Sequence, residues 1–438
     1  MRRFSIYLLM VVTMCFAMEA MAQSGQWRDM YKAKKKDTIF GIAKKYSISI
    51  PELMNANPEM KSEGYELKKG DMVFIPYSRS TAQSTPKTNA LKVGVMLPLH
   101  NVDGDGRRMV EYYRGFLMAC DDLRAAGFSI DVHAWNVNID ADISHLTKEA
   151  EAALCDIIFG PLYSHQVHGL AEFCKARNIK MVIPFSINGD DVARYPQIFQ
   201  VWESTDKLNN GAIDAFMRHF PNTNVVFIDC NDATSQKGIF TFALRNRLEN
   251  KNIHYKITNL NNSETMFAKA FSMTQPNVVI LNTGRSPELN VAIAKLESLK
   301  NANPRLKISL FGYTEWLMYT ENNTERFHRF DTYIPTHFYY NPLDGRTRRL
   351  EQNYRRWFRQ DMQTALPRFA IMGYDQAQFF LRGIKKYGRG FVGSKEQNSY
   401  TPLQNPLIFK QVGSAGMQND FLQLIHFVPG GGIESIVY

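Results

Sequence analysis

Beyond its first twenty-odd residues, the 438-residue chain has no apolar run long enough to cross a bilayer, which excludes a polytopic membrane protein. Cysteine is scarce. None of the five makes a C-x-x-C pair, so a zinc ribbon or a thioredoxin-type centre has no residues to build it. H-E-x-x-H, G-x-S-x-G, Walker A and a post-strand G-x-G-x-x-G are missing as well. Metalloprotease, α/β-hydrolase, P-loop and dinucleotide chemistry therefore lack their signatures. What remains is a globular composition, 45% hydrophobic and 21% charged, rather than a disordered or fibrous one. The length predicts two or three domains. A net charge of +10 suits an anionic surface (an acidic polymer, a membrane or nucleic acid) without choosing among them.

Arg2 and Arg3, the apolar run Tyr7 to Ala17, and Ala20-Met21-Ala22 make a signal peptide over 1–22, cleaved after Ala22. A lipid anchor would need a small residue before Cys15, where Met14 stands. The prediction is a periplasmic protein that starts near Gln23 and keeps no transmembrane anchor. Cys120, Cys155, Cys174 and Cys230 remain. They read most simply as buried free thiols, although an oxidising compartment permits a disulfide.

Residues 27–77 read as strand, helix, helix, strand. Asp37-Thr38 opens the first helix, with Ile39, Ile42, Ala43 and Tyr46 at helical spacing. Pro51 starts the second, Asn55-Ala56-Asn57-Pro58 stops it, and Met72 to Ile75 closes the unit. The blocks Asp37 to Tyr46, Leu53 to Pro58 and Leu67 to Pro76 together resemble the LysM domain, with Lys36 where that family usually has Gly. The resemblance implies binding to N-acetylglucosamine-containing glycans, chiefly peptidoglycan. The implied groove lies between two loops and is carried over to Asp37, Thr38, Ile39, Phe40, Asn57, Pro58 and Glu59. Thr38 also reads as a helix cap, and Ile42 and Tyr46 as core.

Residues 78–90 (SRSTAQSTPKTNA) read as a flexible linker that lets its neighbours move independently. Strand and helix patterns then alternate over 91–438. Apolar strand runs at Lys92–Leu97, Ile130–Val137, Asp156–Phe159 and Lys180–Pro184 are followed by a second series from Val225. This predicts an α/β protein with two doubly wound parallel sheets, a hinge and a cleft. Lobe one is expected at about 91–203 and 335–405, and lobe two at about 204–334 and 406–438. Phe199 to Trp202 and Thr332 to Ile334 are expected as crossovers, and Phe421 to Val428 as part of a hairpin.

The segments Lys92 to Leu99, Asp156 to Ser164, Val182 to Ser186, Phe311 to Trp316 and Gly373 to Ala377 resemble the type 1 periplasmic binding protein fold, in particular receptors for branched-chain amino acids. That likeness implies a ligand held between lobes by Tyr163, Ser164, Phe185, Ser186, Ile187, Tyr313 and Glu315. Hydroxyls and helix N-termini suit a carboxylate, and Glu315 suits an ammonium. The chain departs from the amino-acid receptors after Ile228, where Asp229 to Thr234 supplies no aromatic residue.

Three further features read as structural. His165 and His168 are too few for a metal site. Asp121-Asp122 reads as a solvated helix face. Arg346 to Arg359 reads as an amphipathic helix with its arginines outside, or as a docking surface for an acidic partner. Taken together, the sequence predicts a non-enzymatic cell-envelope protein without cofactor or metal. It would bind peptidoglycan through LysM and a small molecule or an envelope protein through the cleft. The alternatives are a solute receptor for a transporter, taking an amino acid or related ligand, and an activator of cell-wall synthesis or hydrolysis. Nucleic acid is not an expected partner.

Overall fold

The structure is a computed structural model that describes residues 27–62, 65–76, 90–185 and 188–438. The expected signal peptide 1–22, all but the last residue of the linker 78–90, and the expected cleft residues Ser186 and Ile187 lie outside the described residues.

The first unit pairs β1 (Trp27–Lys32) antiparallel with β2 (Met72–Pro76). Two helices, Ile39–Lys45 and Ile50–Ala56, lie between them in sequence. Thr38 caps the first, its hydroxyl accepting the Gly41 N–H at 2.9 Å. Ser49 and Glu52 form a reciprocal capping box on the second, with Pro51 in its first turn. Ile39, Ile42, Leu53, Val73 and Ile75 fill the interior.

The rest of the chain builds two seven-stranded sheets. In the first, β3 (Leu91–Leu97), β4 (Ile130–Asn136), β5 (Ile157–Phe159), β6 (Lys180–Ile183) and β7 (Ile198–Gln200) run parallel in the order β4-β3-β5-β6-β7. In the second, β8 (Asn224–Asp229), β9 (Tyr255–Asn259), β10 (Asn277–Leu281), β11 (Ile308–Phe311) and β12 (Thr332–Thr336) run parallel as β9-β8-β10-β11-β12. Every residue of β10 is buried, as expected of a strand covered on both faces.

The C-terminal segment divides between the lobes. β13 (Phe409–Gln411) and β14 (Met417–Asn419) extend the first sheet, because β14 pairs with β7. β15 (Gln423–Phe427) and β16 (Ile433–Val437) finish the second as the expected hairpin. Two boundaries are therefore corrected. The final passage into lobe two follows Asn419 rather than residue 406, and Thr332 to Ile334 is an interior strand rather than a crossover.

Lobe one is held together by two long helices, Gly104–Ala125 and Phe369–Tyr387. They cross where neither helix can carry a side chain. A Cβ on Gly115 would stand 1.7 Å from the Ala370 carbonyl oxygen, and one on Gly373 2.0 Å from that of Tyr112. Nearby, the fully buried Asp375 accepts from the N–H groups of Leu403, Gln404 and Asn405 and from the Tyr400 hydroxyl. The block Gly373 to Ala377 is thus a packing element.

The LysM-like unit is seated on lobe one. Its core is continuous with Met118, Leu350, Tyr354, Trp357, Met362 and Ile371 of the large domain. This corrects the expectation of independent movement, since apolar surface on both sides has been withdrawn from water. Asp121 is corrected for the same reason. It is 6% exposed and lies in a pocket at the seam with Ser49, Pro51 and Glu52. Burial first, then the neighbouring Asp122 charge, push its carboxyl up to about 7.

Candidate functional site

The small unit's candidate groove residues divide into three groups. Ile39 and Asn57 belong to the interior. Asn57 donates to the carbonyls of Leu53 and Phe74, both at 2.8 Å, and accepts the Phe74 N–H at 2.8 Å. Its amide is spent joining the second helix to β2, so its expected glycan contact is corrected to a structural role. Asp37 and Phe40 are half-buried and face large-domain neighbours. The Asp37 carboxylate accepts from the Tyr31 hydroxyl and the Lys34 N–H. Its carbonyl accepts from Arg359 at 3.3 Å, and the Phe40 ring lies 5.4 Å from that of Phe358. Thr38 is half-buried in its capping role, while Pro58 and Glu59 are exposed.

The interlobe candidates do not converge. Tyr163 and Ser164 stand at the start of the helix Ser164–Arg177. The Ser164 hydroxyl accepts the Asn188 N–H at 3.0 Å, and the Tyr163 hydroxyl reaches Asp105 at 3.4 Å. Phe185 packs between Tyr112 and Phe369. Tyr313 and Glu315 instead line a pocket of about 450 Å³ with Trp202, Thr205, Asn209, Lys237, Phe240, His337, Phe338 and Pro367, a lining that omits Tyr163, Ser164 and Phe185.

Two residues absent from the sequence-based site control this pocket. Lys237 donates to Glu315 at 2.6 Å and lies over the Tyr313 ring. The carboxylate expected to receive a ligand's ammonium thus already holds one from the protein. His337 follows β12, with its ring 4.6 Å from that of Trp202. Burial pulls its pKa down to about 4, so the imidazole is neutral at physiological pH. Both of its nitrogens, and Glu315 Oε2, are buried without a hydrogen-bond partner among the described residues. Such groups are costly unless something satisfies them. No spacing rule links Lys237 to His337, a hundred residues on, so sequence reasoning had no signal for either.

Where the amino-acid receptors carry an aromatic residue after the first strand of lobe two, this chain has a polar knot. Asp232 accepts from the hydroxyls of Thr234 and Thr283, which hold its carboxyl down to about 2. His165 bonds to the Ile139 carbonyl, and His168 faces Asp191 and Tyr195. Among the described residues, no group of three or more His, Cys, Asp or Glu side chains could hold a metal ion, and all four cysteines are buried and free. No described helix is long and apolar enough to cross a membrane.

Comparison with known proteins agrees with this architecture. The LysM domain model matches residues 31–76. A search of curated protein sequences returned no significant match. Among solved structures, a branched-chain amino acid ABC transporter protein from Rhodospirillum rubrum aligns with a TM-score of 0.55 at 16% identity, over 80% of this chain and 100% of that one. Haemophilus influenzae LpoA aligns with a TM-score of 0.51 at 15% identity, over 80% of this chain and 59% of that one. The chain thus carries a LysM domain joined to a bilobed fold of the type 1 periplasmic binding protein kind.

Proposed function

We propose that this is a non-enzymatic protein of the cell envelope that holds peptidoglycan through its LysM domain and takes a second binding partner in the bilobed domain. The LysM match at 31–76, with its intact first-helix and second-helix blocks, is the observation that carries the reading. Pro58, Glu59 and the backbone around Asp37 and Thr38 are the groups we assign to sugar contact. The export signal over 1–22 and the basic charge fit a periplasmic, wall-associated location.

For the bilobed domain we assign ligand contact to the pocket around Lys237, Glu315 and His337. A small polar molecule seated there would satisfy the unpaired imidazole nitrogens and Glu315 Oε2, while Trp202, Phe240 and Phe338 supply apolar walls.

Co-sedimentation with purified peptidoglycan tests the first assignment. The chain from Gln23 pellets with the polymer and is released by soluble N-acetylglucosamine oligomers. Pelleting that these oligomers leave unchanged would defeat the assignment. Release of soluble muropeptides in proportion to protein concentration would defeat the non-enzymatic part.

A further inference from the structure

The LysM groove does not stand alone. The helix Gly345–Phe358 buries Leu350, Tyr354 and Trp357 against the seam between the LysM unit and lobe one. It ends at the groove. Phe358 lies on Phe40, beside the loop that opens the first LysM helix. Arg359 ends the helix in a left-handed conformation, φ 53°, with its N–H bonded to the Arg355 carbonyl. Its guanidinium donates to the Asp37 carbonyl on one side. On the other side it acts electrostatically on Tyr65, beyond the second helix. Arg359 therefore touches the loop that opens the first LysM helix, one of the two between which the sugar groove is expected.

The charge around this point has one dominant sign. Arg348, Gln352, Arg355 and Arg359 follow one another at spacings of four, three and four residues, which places them on one face of the helix. At about 1.5 Å per residue, the eleven steps from Arg348 to Arg359 span roughly 16 Å. Arg348, Arg355 and Arg359 are exposed. Arg355 meets Asp361 in an ion pair exposed on both sides, the kind that water and salt weaken most. Arg348, Arg349 and Arg356 form no ion pair among the described residues. Lys34, Lys35 and Lys36 lie exposed on the first LysM loop. Glu59 and Asp71 are the opposing charges near Tyr65.

We infer that Phe358 and Arg359 form a third wall of the LysM groove, and that the arginine face running back to Arg348 makes the site selective for glycans that carry carboxylates. This rests on the glycan-binding reading above and adds the class of glycan. A bare N-acetylglucosamine oligomer offers nothing to a guanidinium beyond neutral hydroxyls and amides. A strand bearing peptide side chains offers carboxylates, which guanidinium groups bind through two parallel hydrogen bonds. At 3.3 Å, the bond from Arg359 to Asp37 is long enough to be exchanged for one to a ligand. The apolar seam holds the helix that carries the arginines through Leu350, Tyr354 and Trp357, so the backbone part of the ordering cost is met before the ligand arrives.

Calorimetry on the full chain tests this with two probes, chitotetraose and a peptidoglycan tetrasaccharide with free stem-peptide carboxylates. The wild type is expected to prefer the second by at least fivefold, and to lose that preference as salt rises from 0.05 to 0.5 M, both being assay conditions chosen to span the range over which charge screening acts, roughly 14 to 4 Å. The double variant Arg348→Gln/Arg355→Gln, at exposed positions on the arginine face and outside the groove wall, should bind chitotetraose within twofold of wild type and lose most of the preference. An unchanged preference in the variant overturns the inference and leaves the LysM reading intact. A variant that gains affinity for both probes also overturns it, because the arginine face would then oppose glycan binding rather than select its class. A wild type that binds neither probe defeats the LysM reading itself, and this inference with it.

Discussion

The LysM unit and the pocket around His337 put polar side chains to opposite uses. In the LysM unit, Thr38, Ser49 and Asn57 bond to backbone groups a few residues away or on the adjoining strand, so the motif letters specify the fold first. In the pocket, Lys237, Glu315 and His337 come from three separate segments, and His337 and one Glu315 oxygen have their hydrogen-bonding capacity unspent. A contiguous motif announces a domain while disclosing little about its ligand. A pocket assembled from distant residues stays hidden in the sequence while exposing chemistry a ligand can use.

The largest expected effect tests whether the bilobed domain contains a residue of the LysM kind. Asp375 lies in the block Gly373 to Ala377, which resembles the ligand receptors, yet all its bonds are structural. Asp375→Ala strands three N–H groups and the Tyr400 hydroxyl in the interior, at a cost of about 3–5 kcal/mol. Thermal or urea unfolding measures it. A loss under about 1 kcal/mol, within the range of a surface substitution, would show that the block serves something other than stability.

Asn57→Ala comes next, at about 2–3 kcal/mol, because the Phe74 N–H and carbonyl lose their buried partner. Hydrogen exchange at the Phe74 amide should accelerate strongly. Full native protection there, combined with lost glycan binding, would return Asn57 to the groove and erase the contrast with the pocket.

Asp121 tests the seam that makes the two domains one body. Burial raises its pKa to about 7, above the ordinary value near 3.9, so the folded protein prefers the protonated form. Its contribution is therefore most favourable below about pH 4, declines between about pH 4 and 7, and is flat above. The raised value already includes the opposing pull of Arg124 and the Ile50 N–H, so the decline is at most about 4 kcal/mol across that window, at about 1.4 kcal/mol per pH unit. Asp121→Asn should remove it. An identical pH profile in the variant would mean that the seam opens in solution.

Much of the fold was legible. Apolar strand runs at 92–97, 156–159 and 180–184 became interior strands because a covered parallel sheet demands a nearly unbroken apolar run. The return of β14 to β7 was not legible, since Met417–Asn419 is three residues long and its partner lies more than two hundred residues away. Asp121 misled for a related reason. Helical spacing places it correctly on one face but cannot say that a separate domain sits there. At the candidate sites, the sequence identified Tyr313 and Glu315 as neighbours and assigned Glu315 a free carboxylate, because nothing local pointed to Lys237.

That misassignment leads to the smallest effect. In wild type, Lys237 donates to Glu315 Oε1 at 2.6 Å, so the carboxylate's charge is already balanced and an incoming α-ammonium must displace a tethered one. The loop after β8 offers Asn231 and Asp232 rather than an aromatic residue, so it adds no apolar cover to the walls that Trp202, Phe240 and Phe338 supply. Calorimetry with leucine, isoleucine, valine and the other common amino acids should show no binding tighter than about 1 mM, roughly 4 kcal/mol. Lys237→Ala should change stability by less than about 1 kcal/mol, because the pair is partly exposed on both sides. The same change leaves Glu315 an unpaired acceptor, and primary amines should gain several-fold in affinity. A micromolar amino acid in the wild type, weakened by Glu315→Gln, would show that the ligand tolerates or displaces Lys237, and would make this pocket a solute receptor's site.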